Sequence, residues 1–267
     1  MSRVSPARRA GLEVLEAVDR GRRLDRALAE ARATVPERER PLLHELTYGV
    51  TRLRGRLDHI LDHHLREGIG SVPSRVLQLL RSGAYQLLHL DGIPAYAAVS
   101  QTVEQAREDA GEGLVGLVNG VLRSVQRTGE DPALFPDPRT DPAGHLSTWG
   151  SHPRWLVERW LARWSAEEVR SLVETSNEVP PLFLRPVGVE AGAAVQRLTE
   201  AGIEARTVGG GTGCVRLGEG TDPARALGVV PAVVQDPGAA LVVAYAAPPP
   251  GARVADLCAA PGGKALA

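Results

Sequence analysis

The segment RVADLCAAPGGKALA, residues 253–267, concentrates residue types that could bind a small anionic ligand. RVADLC has the apolar character of a strand buried in a parallel sheet. Pro261, Gly262 and Gly263 would then make a tight turn whose missing side chains let a ligand approach the backbone. Such a turn, leading into a helix, offers free N–H groups to an anion such as the carboxylate of an amino-acid-like cofactor. Geometry alone leaves this open, because many Gly-rich turns after strands bind nothing.

A second candidate is cationic. Arg3, Arg8, Arg9, Arg20, Arg22, Arg23 and Arg26 form the densest basic stretch, seven Arg against four acidic residues over 1–26. Clustering of this kind is what phosphate neutralisation needs, and Arg8, Arg9, Arg22 and Arg23 are the candidate phosphate contacts. The competing reading is a solvated helix surface in an Arg-rich protein, since Lys264 is the only Lys among 31 basic residues. Arg52, Arg54 and Arg56 are a poorer patch, because near neighbours on a helix point in different directions.

Other chemistry-bearing residues read as structural. His63 and His64 adjoin Asp62, but adjacent helical residues do not face one ligand, so no metal site is expected. Cys214 and Cys258 are too few for a disulfide framework or a zinc site, and Cys214 reads as core filling. Trp149, Trp155, Trp160 and Trp164 sit beside Leu156, Val157 and Leu161, which fits interdomain packing better than base stacking.

The elements that would position these groups change character along the chain. Residues 1–128 show helical periodicity, for about six helices. The first starts at Ser5–Pro6 and lines one face with Ala7, Ala10, Gly11, Val14, Leu15 and Val18. The apolar series from Leu42 to Leu61, interrupted at Gly49 and Gly55, could be two helices meeting at a bend. Residues 129–179 read as a linker rich in Pro, Asp and Gly followed by bridging helices, the second opened by the Ser165/Glu168 capping-box spacing. Residues 180–232 carry short apolar runs, LFLRPV, IEARTV and CVRL, around a helix from Ala191 to Ala201, a small α/β domain. Residues 233–267 start a further domain, with a helix capped by Asp236–Pro237 and then the strand and Gly-rich loop.

Charge supports placing a polyanion at the front. The chain has 31 basic and 32 acidic residues, net −1, yet residues 1–130 carry 19 Arg against 17 acidic residues. No apolar run reaches the ~18–20 residues of a membrane span, and MSRVSPARRAG lacks the apolar core of a signal peptide, so a cytoplasmic protein with no membrane association is expected.

DLCAAPGGK is very similar to the first cofactor-binding motif of the RNA cytosine-C5 methyltransferases, although Ala265 follows where many members have Thr. ERPLLHELTYGVTRLRGRLD, RSGAYQLLHLDGIPAYAAVSQTVEQA and GLVNGVLR resemble the NusB-like domain fused to bacterial small-subunit rRNA methyltransferases of the Sun/RsmB type. NEVPPLFLRP and VVQDPGAALVV resemble that family's segments ahead of its catalytic domain.

The resemblance implies a multidomain α plus α/β chain: an all-α NusB-like bundle, a small ferredoxin-like α/β domain, then the first strand and loop of a Rossmann-like methyltransferase domain. It assigns S-adenosylmethionine to Cys258, Ala259, Ala260, Pro261, Gly262, Gly263 and Lys264, and small-subunit ribosomal RNA as partner. It puts the nucleophilic cysteine in a motif past Ala267, so this chain alone is expected to be inactive and to bind the cofactor poorly. The rival expectation is a free-standing RNA-binding or antitermination module of the NusB kind.

Overall fold

A computed structural model describes residues 4–257, 259–260 and 262–265. The chain divides into two compact units, Met1–Glu178 and Val179–Ala267.

The first unit is helical. Helices α1 (Pro6–Asp19), α2 (Leu24–Thr34), α3 (Arg40–Arg52), α4 (Arg54–His64), α5 (Ser74–His89), α6 (Ala95–Ala110) and α7 (Glu112–Thr128) make up its front. The start of α1 follows the sequence expectation: the Ser5 side chain accepts from the Arg8 N–H, and Pro6 occupies the first turn, where its missing donor costs nothing. Leu12, Leu15, Leu46, Leu57, Ile60, Leu79, Leu80 and Leu122 pack into one core. The long apolar series is indeed two helices, broken at Leu53 between α3 and α4. Neither glycine causes the break. Gly49 lies under the Tyr85 ring, and Gly55 faces Ser151.

Residues after 128 pack onto the helices before them. Phe135 is 7% exposed in the main core and stacks on His59 with ring centroids 5.3 Å apart. Burying such a ring contributes about 2–3 kcal/mol. Helix α8 (Pro142–Thr148) then lies against α4. Ser151, at the unusual φ of 58°, accepts from Gly55 N at 2.8 Å and donates to Arg52 O at 2.9 Å. Helices α9 (Arg154–Leu161) and α10 (Ala166–Asn177) complete the unit around Leu146, Val157, Val169 and Val173. Both bonds of the Ser165/Glu168 capping box are formed.

The second unit holds an antiparallel sheet of β1 (Phe183–Pro186), β2 (Ala205–Thr207), β3 (Val215–Leu217) and β4 (Ala232–Val234), in the order β2-β3-β1-β4. Helix α11 (Ala191–Glu200) joins β1 to β2, and α12 (Pro223–Leu227) joins β3 to β4. This is the β-α-β-β-α-β ferredoxin-like order. Leu184, Ala194, Leu198, Ile203, Val215, Leu217, Ala226 and Val230 form its core. The sequence reading found β1, α11, β2 and β3 but not α12 or β4, each only three to five residues long.

Helix α13 (Pro237–Ala246) follows, capped by Asp236, which accepts from Gly238 N at 2.7 Å. It is apolar on all sides yet buries only Ala240 among its side chains, leaving Leu241, Val242 and Tyr245 exposed. RVADLC does not form the expected first strand of a Rossmann-like domain: residues 253–257 have no strand partner, and Val254 and Leu257 are exposed. Parallel strands are held by neighbouring strands and by helices on both faces, and none covers this segment among the described residues.

Candidate cofactor loop and nucleic-acid surface

The Gly-rich loop is reached through the end of the ferredoxin-like sheet. Gln235 directly follows β4, and its backbone N–H donates to Phe183 O at 3.2 Å, prolonging the β1–β4 ladder by one rung. The residue is 6% exposed, and its side chain crosses to the loop, where Nε2 donates to the Gly263 carbonyl at 2.6 Å. The amide orientation is chemically fixed, because an oxygen facing that carbonyl would repel it. The other end of the same carboxamide, Oε1, is buried with no hydrogen-bond partner among the described residues.

Gly262 has φ 104°, a backbone state that suits glycine, and its N–H bonds the Ala259 carbonyl. A Cβ at Gly263 would meet only Gln235 Nε2, at 3.6 Å. Ala259, Ala260 and Lys264 are exposed. Cys258 and Pro261 lie outside the described residues. Nothing in the sequence singled out Gln235; its neighbour Asp236, a helix cap before Pro237, was the visible signal there.

The four candidate RNA contacts occupy two places and are not free. Arg8 is half-buried on α1, its Nε donating to Gln86 Oε1 at 2.8 Å and its Nη1 to Ser5 Oγ at 3.2 Å. Burial lowers its pKa, and Glu39 opposes that shift. Arg9 pairs with Glu108. In the turn between α1 and α2, Arg22 pairs with Glu30, and Arg23 holds Asp25 through two bonds of 3.1 and 2.7 Å. That pairing raises the Arg23 pKa and lowers that of Asp25, each through the shared hydrogen bond first. Phosphate would therefore have to compete with carboxylates at three of the four. Arg3 lies outside the described residues.

The remaining candidates resolve into packing. Cys214 is fully buried, and burial pushes its thiol pKa up. His63 contacts the His59 carbonyl through Nδ1 at 2.8 Å, while His64 is partly buried and its pKa is lowered by burial, then by His63 and Arg127. Among the described residues no group of three or more His, Cys, Asp or Glu could hold a metal. Trp149 packs between the main core and the α8–α10 cluster and Trp160 against that cluster, whereas Trp155 and Trp164 are 64% and 45% exposed. Sequence reasoning missed the junction around Arg56, whose guanidinium sits 4.7 Å from the Trp149 ring centroid and 3.6 Å from Glu130. No helix is long and apolar enough to cross a membrane among the described residues.

Comparison with known proteins adds to this geometry. The chain is 36% identical over 280 residues to "Putative methyltransferase Rv1407" of Mycobacterium tuberculosis (strain ATCC 25618 / H37Rv), covering 98% of this chain and 59% of that protein. It is 34% identical over 262 residues to the ribosomal RNA small subunit methyltransferase B of Escherichia coli O157:H7 (strain EC4115 / EHEC), covering 96% and 58%. The chain thus spans somewhat over half the length of these relatives. The crystal structure of PH0851 matches all of this chain and 60% of its own with a TM-score of 0.67 at 18% identity, a likeness of fold. Residues 5–127 match the NusB family model, and residues 152–223 match the Methyltr_RsmF/B-like, ferredoxin-like domain. Residues 5–127 therefore belong to the NusB family and residues 152–223 to the RsmF/B-like ferredoxin-like domains, joined in that order in one chain.

Proposed function

We propose that this chain is part of a cytoplasmic S-adenosylmethionine-dependent methyltransferase acting on carbon 5 of a cytosine in small-subunit ribosomal RNA. The observation that carries the reading is the DLCAAPGGK loop tied by Gln235 to the end of a ferredoxin-like sheet. Two relatives with methyltransferase names, one of them a small-subunit rRNA enzyme, support it.

The residues present suit an amino-acid-like cofactor. Glycines at 262 and 263 leave the backbone open, Lys264 is an exposed cation suited to a carboxylate, and Gln235 Oε1 is a buried acceptor lacking a donor among the described residues. Ala259, Ala260, Gly262, Gly263 and Lys264 would hold the amino-acid end, with Cys258 and Pro261 completing the motif. S-adenosylmethionine supplies an electrophilic methyl group. Cys258 belongs to this binding loop and is not the nucleophile of covalent catalysis, which requires a thiolate placed against the base. The target base has to be unpaired or flipped out to be reached. The NusB-like domain binds RNA through phosphates near Arg8, Arg9, Arg22 and Arg23.

A bisulfite map of rRNA from cells with and without the gene tests this. Loss of protection at one small-subunit cytosine is expected; an unchanged map would contradict the reading.

A further inference from the structure

An unsatisfied acceptor in a buried place costs the desolvation of that group, so Gln235 Oε1 is an unusual thing for a fold to retain. The carboxamide is not free to turn away and find water. Its backbone is fixed to Phe183 at the sheet end, and its Nε2 is committed to Gly263 O at 2.6 Å. The carbonyl it holds belongs to a glycine with open space beside it, the nearest atom to a Cβ there being Gln235 Nε2 itself. The missing partner is therefore a hydrogen-bond donor arriving with a ligand at the Gly262–Gly263 turn. The only two groups an amino-acid end offers are a carboxylate, which cannot donate, and an ammonium, which can.

We propose that Gln235 is a cofactor-binding residue: Nε2 sets the Gly263 carbonyl, and Oε1 accepts a hydrogen bond from the α-ammonium of the amino-acid portion of the cofactor. The assignment rests on the cofactor reading above. It divides recognition of the zwitterion between two elements, with the Gly-rich loop and Lys264 for the carboxylate and the end of β4 for the ammonium. It also gives the ferredoxin-like sheet a part in cofactor selection, because the Phe183 to Gln235 rung fixes where the acceptor stands.

The test compares two ligands on a protein of the relatives' length, with Gln235→Met, which keeps side-chain length and removes both bonds. S-adenosylmethionine carries the amino-acid end, whereas 5′-methylthioadenosine has the adenosine and lacks that end. Calorimetry should show S-adenosylmethionine affinity falling at least about tenfold in the variant, as expected for a charge-assisted bond. Methylthioadenosine affinity should stay within about twofold, which also reports that the variant is folded. The KM for cofactor should rise with kcat at saturation retained. Gln235→Asn, which withdraws the carboxamide by one methylene, carries the same expectation if the methionine variant is insoluble. Equal loss for both ligands, or no loss for either, would overturn the role of Gln235 while leaving the cofactor reading intact. A parent protein that binds neither ligand would overturn both.

Discussion

Gly49 on α3 is the floor on which the Tyr85 ring of α5 lies: a Cβ at Gly49 would come within 2.0 Å of Tyr85 Cζ. The contact lets the Tyr85 hydroxyl reach the Glu45 carboxylate, one helical turn earlier on α3. Burial, followed by that hydrogen bond and the Glu45 charge, pushes the tyrosine pKa well above its ordinary value.

Gly49→Ala should therefore destabilise the helical unit by about 2 kcal/mol, because overpacking outweighs the helix propensity gained. Gly116→Ala on α7 is the control, since its added methyl meets nothing within 4 Å. It should stabilise by about 0.5–1 kcal/mol. Urea denaturation of both variants checks the pair, and equal signs would refute the packing argument.

Arg81 of α5 is 3% exposed and holds Asp58 of α4 by two bonds of 2.6 and 2.8 Å. Asp58→Ala leaves that buried guanidinium only the Asp19 carboxylate, 4.0 Å away, and should cost about 3 kcal/mol, the low end for breaking a buried pair. Chemical denaturation reads the loss directly; a cost below about 1 kcal/mol would mean water replaces the carboxylate.

His89 is largely buried beside Glu130 and Arg56, and burial holds its pKa below the ordinary 6.5; Glu130 opposes that shift and Arg56 adds to it. His44 and His64 are lowered as well, again chiefly by burial. The unfolded chain then binds protons that the folded one refuses. Stability is fully present above the unfolded pKa and falls as pH drops below about 6.5 towards the folded values. Thermal melts from about pH 7.5 to about pH 5 should show this slope, and it should be shallower in His89→Gln. A parallel profile in the variant would remove His89 from the account.

For RNA, replacing Arg8, Arg9, Arg22 and Arg23 by Ala should weaken binding across sequences and flatten its salt dependence. The carboxylates opposite them supply the sharper test. Asp25→Asn with Glu30→Gln frees Arg23 and Arg22 and should strengthen binding and steepen the salt slope. Filter binding at several salt concentrations would expose the surface as irrelevant if neither set moved the affinity.

Local signals were the most legible part of the sequence. Ser5–Pro6, Ser165/Glu168 and Asp236–Pro237 each cap a helix as read, because a cap depends on three or four neighbouring residues. What failed needed distant partners. The packing of the segment after residue 128 was not legible, because Phe135 and Ser151 meet α4 at His59 and Gly55, some 76–96 positions away. RVADLC has the composition of a buried strand and forms none among its described residues, since pairing decides strand formation. In the candidate site, the Gly-rich turn was legible as a turn, while its reading as a cofactor loop rests on the resemblance of DLCAAPGGK. The contact of Gln235 was not legible, since the carbonyl it meets lies 28 residues further on.

The expected inability of the 267-residue chain to hold cofactor follows from the same exposed segment. Residues 253–257 carry no strand pairing, and fixing them on binding costs roughly 1–2 kcal/mol per backbone residue, against a few hydrogen bonds gained. Calorimetry should detect S-adenosylmethionine binding in a protein of the relatives' length and little in this chain. Comparable affinities would show that the loop is preorganised by Gln235 alone.

The central claim is methyl transfer to a cytosine, and the most direct measurement supplies S-adenosylmethionine with a labelled methyl group and purified small-subunit rRNA to a protein of the relatives' length. The digested RNA is then read by mass spectrometry. The account predicts label in 5-methylcytosine at a single position, dependent on an intact Gly262–Gly263 turn. RNA binding with no label transferred, or label on another base, would contradict it.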